Sequence, residues 1–207
     1  MKNYMKSLRS ALLFSIGMII LCGVIYPLAL TAVSQLIFPV EANASLIEVN
    51  GKVVGSAIVG QEFSDERLFK CRISAYNYNT YTEEDKENGS YQGVASGSNN
   101  YANSNPKLKE RMKKDLNEFL EANPEIKKNE IPVDLLTASA SGLDPHISID
   151  AAMVQVPTIA KASGLSKDQL TKIVEKNTTN KILGVFGEDY VNVLKCNLDV
   201  AKLIGLI

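Results

Sequence analysis

Between Ala11 and Phe38 the chain carries no charged side chain, reading ALLFSIGMIILCGVIYPLALTAVSQLIF. As a helix rising ~1.5 Å per residue, this run covers roughly 40 Å, more than the ~30 Å hydrocarbon thickness of a bilayer. A single membrane span is therefore predicted within residues 11–33. Ser15 is isolated in the first half, whereas Thr31, Ser34 and Gln35 crowd the end, so the hydrocarbon should hold about Leu12 to Thr31. Pro27 removes one backbone donor inside the helix and requires a local adjustment or a neighbouring helix.

Lys2, Lys6 and Arg9 precede the span, while Glu41 and Glu48 follow it and the next lysine is Lys52. The positive-inside tendency then makes residues 1–10 a cytoplasmic tail and residues 40–207 an extracytoplasmic domain of a single-pass cell-membrane protein. Ala42-Asn43-Ala44 has the small-x-small form of a signal-peptidase site, but the apolar stretch far exceeds the ~7–15 residues of a signal core. The anchor is read as uncut.

About 165 residues lie beyond the span, enough for one domain with its own core. With 22 basic and 23 acidic side chains the balance is near neutral, which argues against a nucleic-acid partner. The cysteines at 22, 71 and 196 show neither CxxC nor histidine-spaced partners, so no zinc or thiol-redox site is indicated. Cys71 and Cys196 could bridge or remain free buried thiols.

In the outer domain, Leu46–Val49 and Lys52–Val54 flank Asn50-Gly51, a type I′ hairpin signal, and Ser56–Val59 reads as a continuing apolar strand. Residues 76–105 shift to Tyr, Asn, Ser and Gly, with tyrosines at 76, 78, 81, 91 and 101, and read as a long loop offering a contact surface. Asn105-Pro106 starts an amphipathic helix, expected to pack on the sheet and to end at Pro124. Ser148 caps a helical stretch that Pro157 divides, and Ser166-x-x-Gln169 forms a capping box. Val191-Asn192-Val193 alternates as a strand before an apolar tail over 199–207. Strands and helices mix without a βαβ repeat, which gives an α+β class.

Ser139, Ser141, Asp144 and His146 invite a hydrolase reading, but GxSxG and a second histidine are missing, and triads draw on separated segments. A structural turn is the favoured role, with Asp144 and Ser148 bonding nearby backbone donors. No GxxxxGK[ST] or GxGxxG run occurs. No catalytic or metal-ligating residue is assigned, and no cofactor site is placed.

Taken in order, GSAIVGQEF (55–63), SAYN (74–77), ASGSN (95–99), SNPKL (104–108), VDLLTASASGLDPHIS (133–148), AAMVQVP (151–157) and VNVLKCNL (191–198) resemble the KdpC family, a component of the Kdp potassium-transporting ATPase complex. The likeness covers nearly the whole chain, and SGLDPHIS is its most specific piece. It implies an accessory, non-catalytic role in a high-affinity potassium uptake complex. The partners implied are KdpA, which resembles a potassium channel, KdpB, which is the P-type ATPase, and the small KdpF. The family is described as a catalytic chaperone that raises the pump's affinity for ATP. No cofactor is assigned to this chain; ATP enters only through that chaperone role, or through direct contact at Ser96-Gly97-Ser98-Asn99 in an alternative reading as an ATP-binding regulator.

Overall fold

The structure is a computed structural model and describes residues 2–91 and 93–207. The chain divides into two units, Met1–Leu46 and Ile47–Ile207.

The first unit is helical through the charge-free run: α1 (Lys2–Ile20), a π turn (Leu21–Ile25) and α2 (Tyr26–Ile37). Tyr4–Ile37 is long and apolar enough to cross a membrane, and none of it is buried within the chain. The helix outruns the expected hydrocarbon segment at both ends. The adjustment that Pro27 demands is the π turn: in an α-helix its ring would strike the carbonyl four residues back. Here the ladder widens, and the Tyr26 N–H reaches Leu21 O. Thr31 Oγ1 donates to Pro27 O at 2.9 Å. Phe38 leaves the helix at φ −130°, and Pro39 opens the short α3 (Pro39–Ala42).

The second unit is of α+β class. Its first pair, β1 (Leu46–Val49) and β2 (Lys52–Ser56), turns through Asn50 and Gly51 at φ 54° and 75°, the geometry a type I′ turn requires. The strand expected over Ser56–Val59 stops at Ser56. Its hydroxyl accepts the Ile58 N–H at 3.2 Å and folds the chain into a tight turn instead. The long loop after Tyr76 contains a helical turn that the composition hid, α4 (Glu83–Glu87), closed by a reciprocal cap between Thr82 and Asp85.

α5 (Pro106–Ala122) is capped by Asn105 as expected. Its Leu116, Phe119 and Leu120 pack against the central apolar cluster. A three-stranded antiparallel sheet follows in the order β3 (His146–Ile147), β5 (Tyr190–Asn192), β4 (Thr178–Thr179). Ile147 and Thr178 both register on Val191, while His146 pairs with Asn192. α6 (Ile149–Met153), α7 (Val156–Ser163) and α8 (Lys167–Lys176) carry the predicted caps and the predicted division before Pro157.

The expected strand over 191–193 ends one residue early, and the expected apolar tail is instead α9 (Val193–Leu203). The Asn192 side chain accepts the Lys195 N–H and starts this helix; Val193, Cys196, Asn197 and Val200 then fall on one buried face. Phe69, Leu170, Val174, Val191, Val193, Cys196 and Val200 are the largest fully buried side chains and form the centre of the core.

Candidate functional site: the 139–148 turn and its surroundings

The chemistry-bearing cluster is a fastening. Ser139 Oγ accepts the Gly142 N–H at 2.9 Å, and Gly142 adopts φ 65°, the left-handed region that a side chain disfavours. A Cβ there would lie 2.7 Å from Gly97 O. Asp144 Oδ1 accepts the His146 N–H at 3.0 Å, while its Oδ2 faces Arg72 Nη1 at 3.3 Å. Ser148 caps α6 and bonds Asp134 twice, through its N–H at 2.8 Å and its hydroxyl at 3.2 Å. The geometry fits a turn held by side-chain-to-backbone bonds.

Three distant segments lock onto this turn. Gly60 N–H donates to Leu143 O at 2.8 Å, and a Cβ on Gly60 would meet Asp144 O at 2.6 Å. Ser74 Oγ donates to Gly142 O at 2.6 Å and accepts the N–H groups of Tyr76 and Tyr78. Gly97 N–H and Ser96 Oγ both end on Ser141 O, at 2.7 and 3.0 Å. The Ser96-Gly97-Ser98-Asn99 stretch, weighed as a nucleotide contact, thus commits two of its donors to the turn. The loop is pinched again where Asn79 and Ala95 exchange two bonds of 3.0 and 2.9 Å; beyond that pinch the Tyr81 and Tyr91 rings meet edge-on at 4.8 Å.

The His146 side chain faces Asp144, Asn192 and Tyr190. Its Nδ1 lies 3.6 Å from Asp144 Oδ1, its Nε2 lies 3.4 Å from Asn192 Nδ2, and its ring packs on Tyr190 with centroids 4.2 Å apart. Asn192 Nδ2 also donates to Ala57 O at 2.8 Å. An amide NH2 facing Nε2 makes that nitrogen the acceptor and leaves the proton on Nδ1, towards Asp144. Burial lowers the His146 pKa below its ordinary value, with the Asp144 charge opposing it and Lys195 adding to it. The Ser-Asp-His grouping therefore supplies a neutral structural imidazole.

Sequence reasoning missed the buried amides. Asn197 on α9 accepts the Phe69 N–H at 2.7 Å and donates to Phe69 O at 2.9 Å, standing in for a neighbouring strand. Gln155 does the same for Lys70, accepting its N–H at 2.8 Å and donating to its carbonyl at 3.3 Å. The available signal was a lone polar residue on an otherwise apolar helix face, in AAMVQVP and VNVLKCNL. Cys71 and Cys196 are free thiols, both pushed up to about 12 by burial.

Between α5 and α7 lies a cavity of about 570 Å³ with an apolar floor including Leu68, Phe119 and Ile159 and a rim including Glu66, Asp115, Glu118 and Glu121. Lys70 also lines it, but its Nζ is engaged by Phe63 O and Asp65 O. Asp115 is paired with Arg111 at 3.2 Å and Glu118 with Lys114 at 3.6 Å, so Glu66 and Glu121 leave only a slight negative excess beside the Lys70 ammonium, which gives a polyphosphate no cationic cradle. The cavity beside Ser98 and Asn99 measures about 190 Å³, below the ~300–1,000 Å³ usual for small-molecule sites. Among the described residues, no group of three or more His, Cys, Asp and Glu is placed to hold a metal ion.

Residues 8–202 match the family model described as KdpC, K+-transporting ATPase, c chain. A potassium-transporting ATPase KdpC subunit of Clostridium kluyveri is 55% identical over 206 residues, covering all of this chain and 98% of that protein. One from Clostridioides difficile is 56% identical over 208 residues, covering 98% and 100%. KdpC subunit 2 of Staphylococcus aureus is 42% identical over 199 residues, covering 96% and 100%. At this identity and coverage, the chain that pins its polar loop to the 139–148 turn belongs to the KdpC family, the c chain of the K+-transporting ATPase.

Proposed function

We propose that this chain is non-catalytic and that it assembles and steadies the channel-like and P-type ATPase components of a potassium uptake complex. The observation that carries this reading is the use made of the 139–148 turn. Its Ser139 and Asp144 side chains are committed to backbone donors of the turn itself, and its Gly142 and Ser141 carbonyls accept the Ser74 and Ser96 hydroxyls that hold the 74–97 segment in place. A segment fixed at both ends, rich in tyrosine and bearing little core-forming side chain, is suited to contact another protein. Asparagine and tyrosine there supply hydrogen bonds and amphipathic area for KdpA and KdpB.

The domain faces the outside of the cell in this reading, because Lys2, Lys6 and Arg9 flank the span on the other side. Any effect on the pump's affinity for ATP then passes through the membrane-embedded neighbours. The Ser96 and Gly97 donors already spent on Ser141 O support this indirect route over direct nucleotide contact.

Co-purification of the tagged full chain with KdpA and KdpB from membranes tests the assembly role; failure to recover them would overturn it. Deleting Tyr81 to Tyr91 leaves the Asn79–Ala95 pinch outside the cut. Unchanged assembly and potassium uptake in that variant would remove the loop as the docking surface. Impermeant labelling of intact cells should reach the C-terminal domain. Photo-crosslinking with an azido-ATP should leave the full chain unlabelled, and labelling would favour the nucleotide-binding alternative.

A further inference from the structure

We propose that the hairpin tip Ile182-Leu183-Gly184-Val185-Phe186 inserts into the lipid interface and gives the domain a second hold on the membrane, separate from the N-terminal helix. The four side chains are 71%, 86%, 75% and 64% exposed and lie in one five-residue stretch without a polar side chain. Single exposed apolar residues are ordinary on a protein surface, but a contiguous group of this size marks a contact.

The backbone suits the shallow, partly wet interface. Ile182 and Phe186 exchange N–H···O bonds of 2.9 and 3.0 Å, Val185 N–H donates to Ile182 O, and Gly184 N–H donates to Lys181 O. The tip thus satisfies four of its own donors, which lowers the cost of moving it from water to the interface. Leu183 sits at φ 55°, where asparagine or glycine would turn the chain at lower cost, and its side chain is the most exposed of the four. An unfavourable backbone conformation and an unburied leucine together need a gain elsewhere.

Lipid is the occupant because the tip offers it shape and greasiness but no directional group for a protein to read. Lys181 stands at the base, its ammonium 3.6 Å from Glu188, so the charges begin where the headgroups would lie. Three of the 22 basic side chains, and none of the 23 acidic ones, are in residues 1–10, which leaves the rest of the chain net acidic. Insertion is therefore driven by apolar contact and does not need anionic lipid.

The chain has no tryptophan, so Phe186→Trp installs a single reporter at an exposed position. The full-length variant is reconstituted into phosphatidylcholine vesicles with or without bromine on the acyl chains near the headgroup. Brominated lipid should lower its emission roughly twofold, as expected for shallow interfacial burial. Val133→Trp, at another exposed site of the domain, should be unaffected, and adding Leu183→Asp should restore the Phe186→Trp emission. Co-flotation without quenching overturns the proposal while leaving the N-terminal anchor intact. Loss of co-flotation brings down the anchor and the proposal together. A blue shift that appears only when the other Kdp components are added assigns the tip to protein and also overturns it.

Discussion

Arg72 and Asp144, 72 residues apart in the chain, face each other with Nη1 3.3 Å from Oδ2, and both side chains are about three-quarters shielded from water. Nη2 of the same arginine reaches Thr137 Oγ1 at 3.4 Å. The pair ties the stretch before the tyrosine-rich loop to the turn that receives the loop's far end. Asp144 also accepts the His146 N–H, so its carboxylate serves a charge and a backbone donor at once.

Asp144→Ala leaves a shielded guanidinium and a backbone N–H without their acceptor. The expected cost is about 3 kcal/mol, in the range for breaking a partly buried charged pair. Asp144→Asn retains one oxygen for the His146 N–H and should lose less than half as much. Thermal unfolding of the detergent-solubilised full chain measures both. Equal losses would mean that the charge pair with Arg72, absent from both variants, carries the cost and that the bond from the His146 N–H contributes little.

Gly60 and Gly55 are both crowded, but by different neighbours. A Cβ on Gly60 would lie 2.6 Å from Asp144 O and 2.6 Å from Tyr78 Cε1, and the carbonyl belongs to the pinned turn. On Gly55 it would meet Gln61 Oε1 at 2.7 Å and Leu194 Cδ2 at 2.8 Å, both ends of side chains that can shift. Gly60→Ala should therefore destabilise by ~2–3 kcal/mol and Gly55→Ala by less, following the usual cost of overpacking. Proteolysis between residues 76 and 100 should accelerate in the first variant, because the Gly60–Leu143 bond helps hold the turn.

The features visible in the sequence were local. The charge-free run, the Asn50-Gly51 turn and the caps at Asn105, Ser148 and Ser166 each follow from residues within a few positions of one another. The α9 helix was hidden because Val-Asn-Val imitates strand alternation until Asn192 is seen capping the helix after it. α4 was hidden because Thr82-x-x-Asp85 sits in a loop-like composition. In the candidate site, Asp144 and Ser148 were readable as turn residues, but their partners were not. Ala57 and Asn192 are 135 positions apart, and Phe69 and Asn197 are 128 apart. Side-chain amides that replace a strand show in the sequence only as a lone polar residue on an apolar helix face, which does not name the backbone they serve.

His146 is the single histidine of the chain, so any imidazole contribution to the pH dependence is its own. Burial holds its folded pKa below the ordinary 6.5, and the unfolded chain then binds more protons than the folded one below that pH. Its contribution to stability is fully present above pH 6.5 and is lost as pH falls through the folded value. Unfolding midpoints measured between pH 7 and 5 should fall with acidification. In His146→Gln that slope should flatten, while stability at pH 7 drops by about 1 kcal/mol for the lost ring packing and bonds. An unchanged slope would assign the pH response to carboxylates.

Asn192→Asp reverses the sign of that response. Aspartate is as good a helix cap as asparagine, so the Lys195 N–H keeps its acceptor. The amide donor to Ala57 O is replaced by an oxygen, and overall stability should fall by about 2 kcal/mol. The same new carboxylate oxygen stands where Nδ2 now lies 3.4 Å from His146 Nε2, and it favours the imidazolium. With its folded pKa raised above the unfolded one, the histidine contributes stability that is present below pH 6.5 and is lost as pH rises through the folded value. Stability of Asn192→Asp should then increase on acidification from pH 7 towards 5.5, opposite to the parent chain, and adding His146→Gln should abolish the increase. A decrease on acidification would show that the Asn192 amide does not set the charge state of the ring.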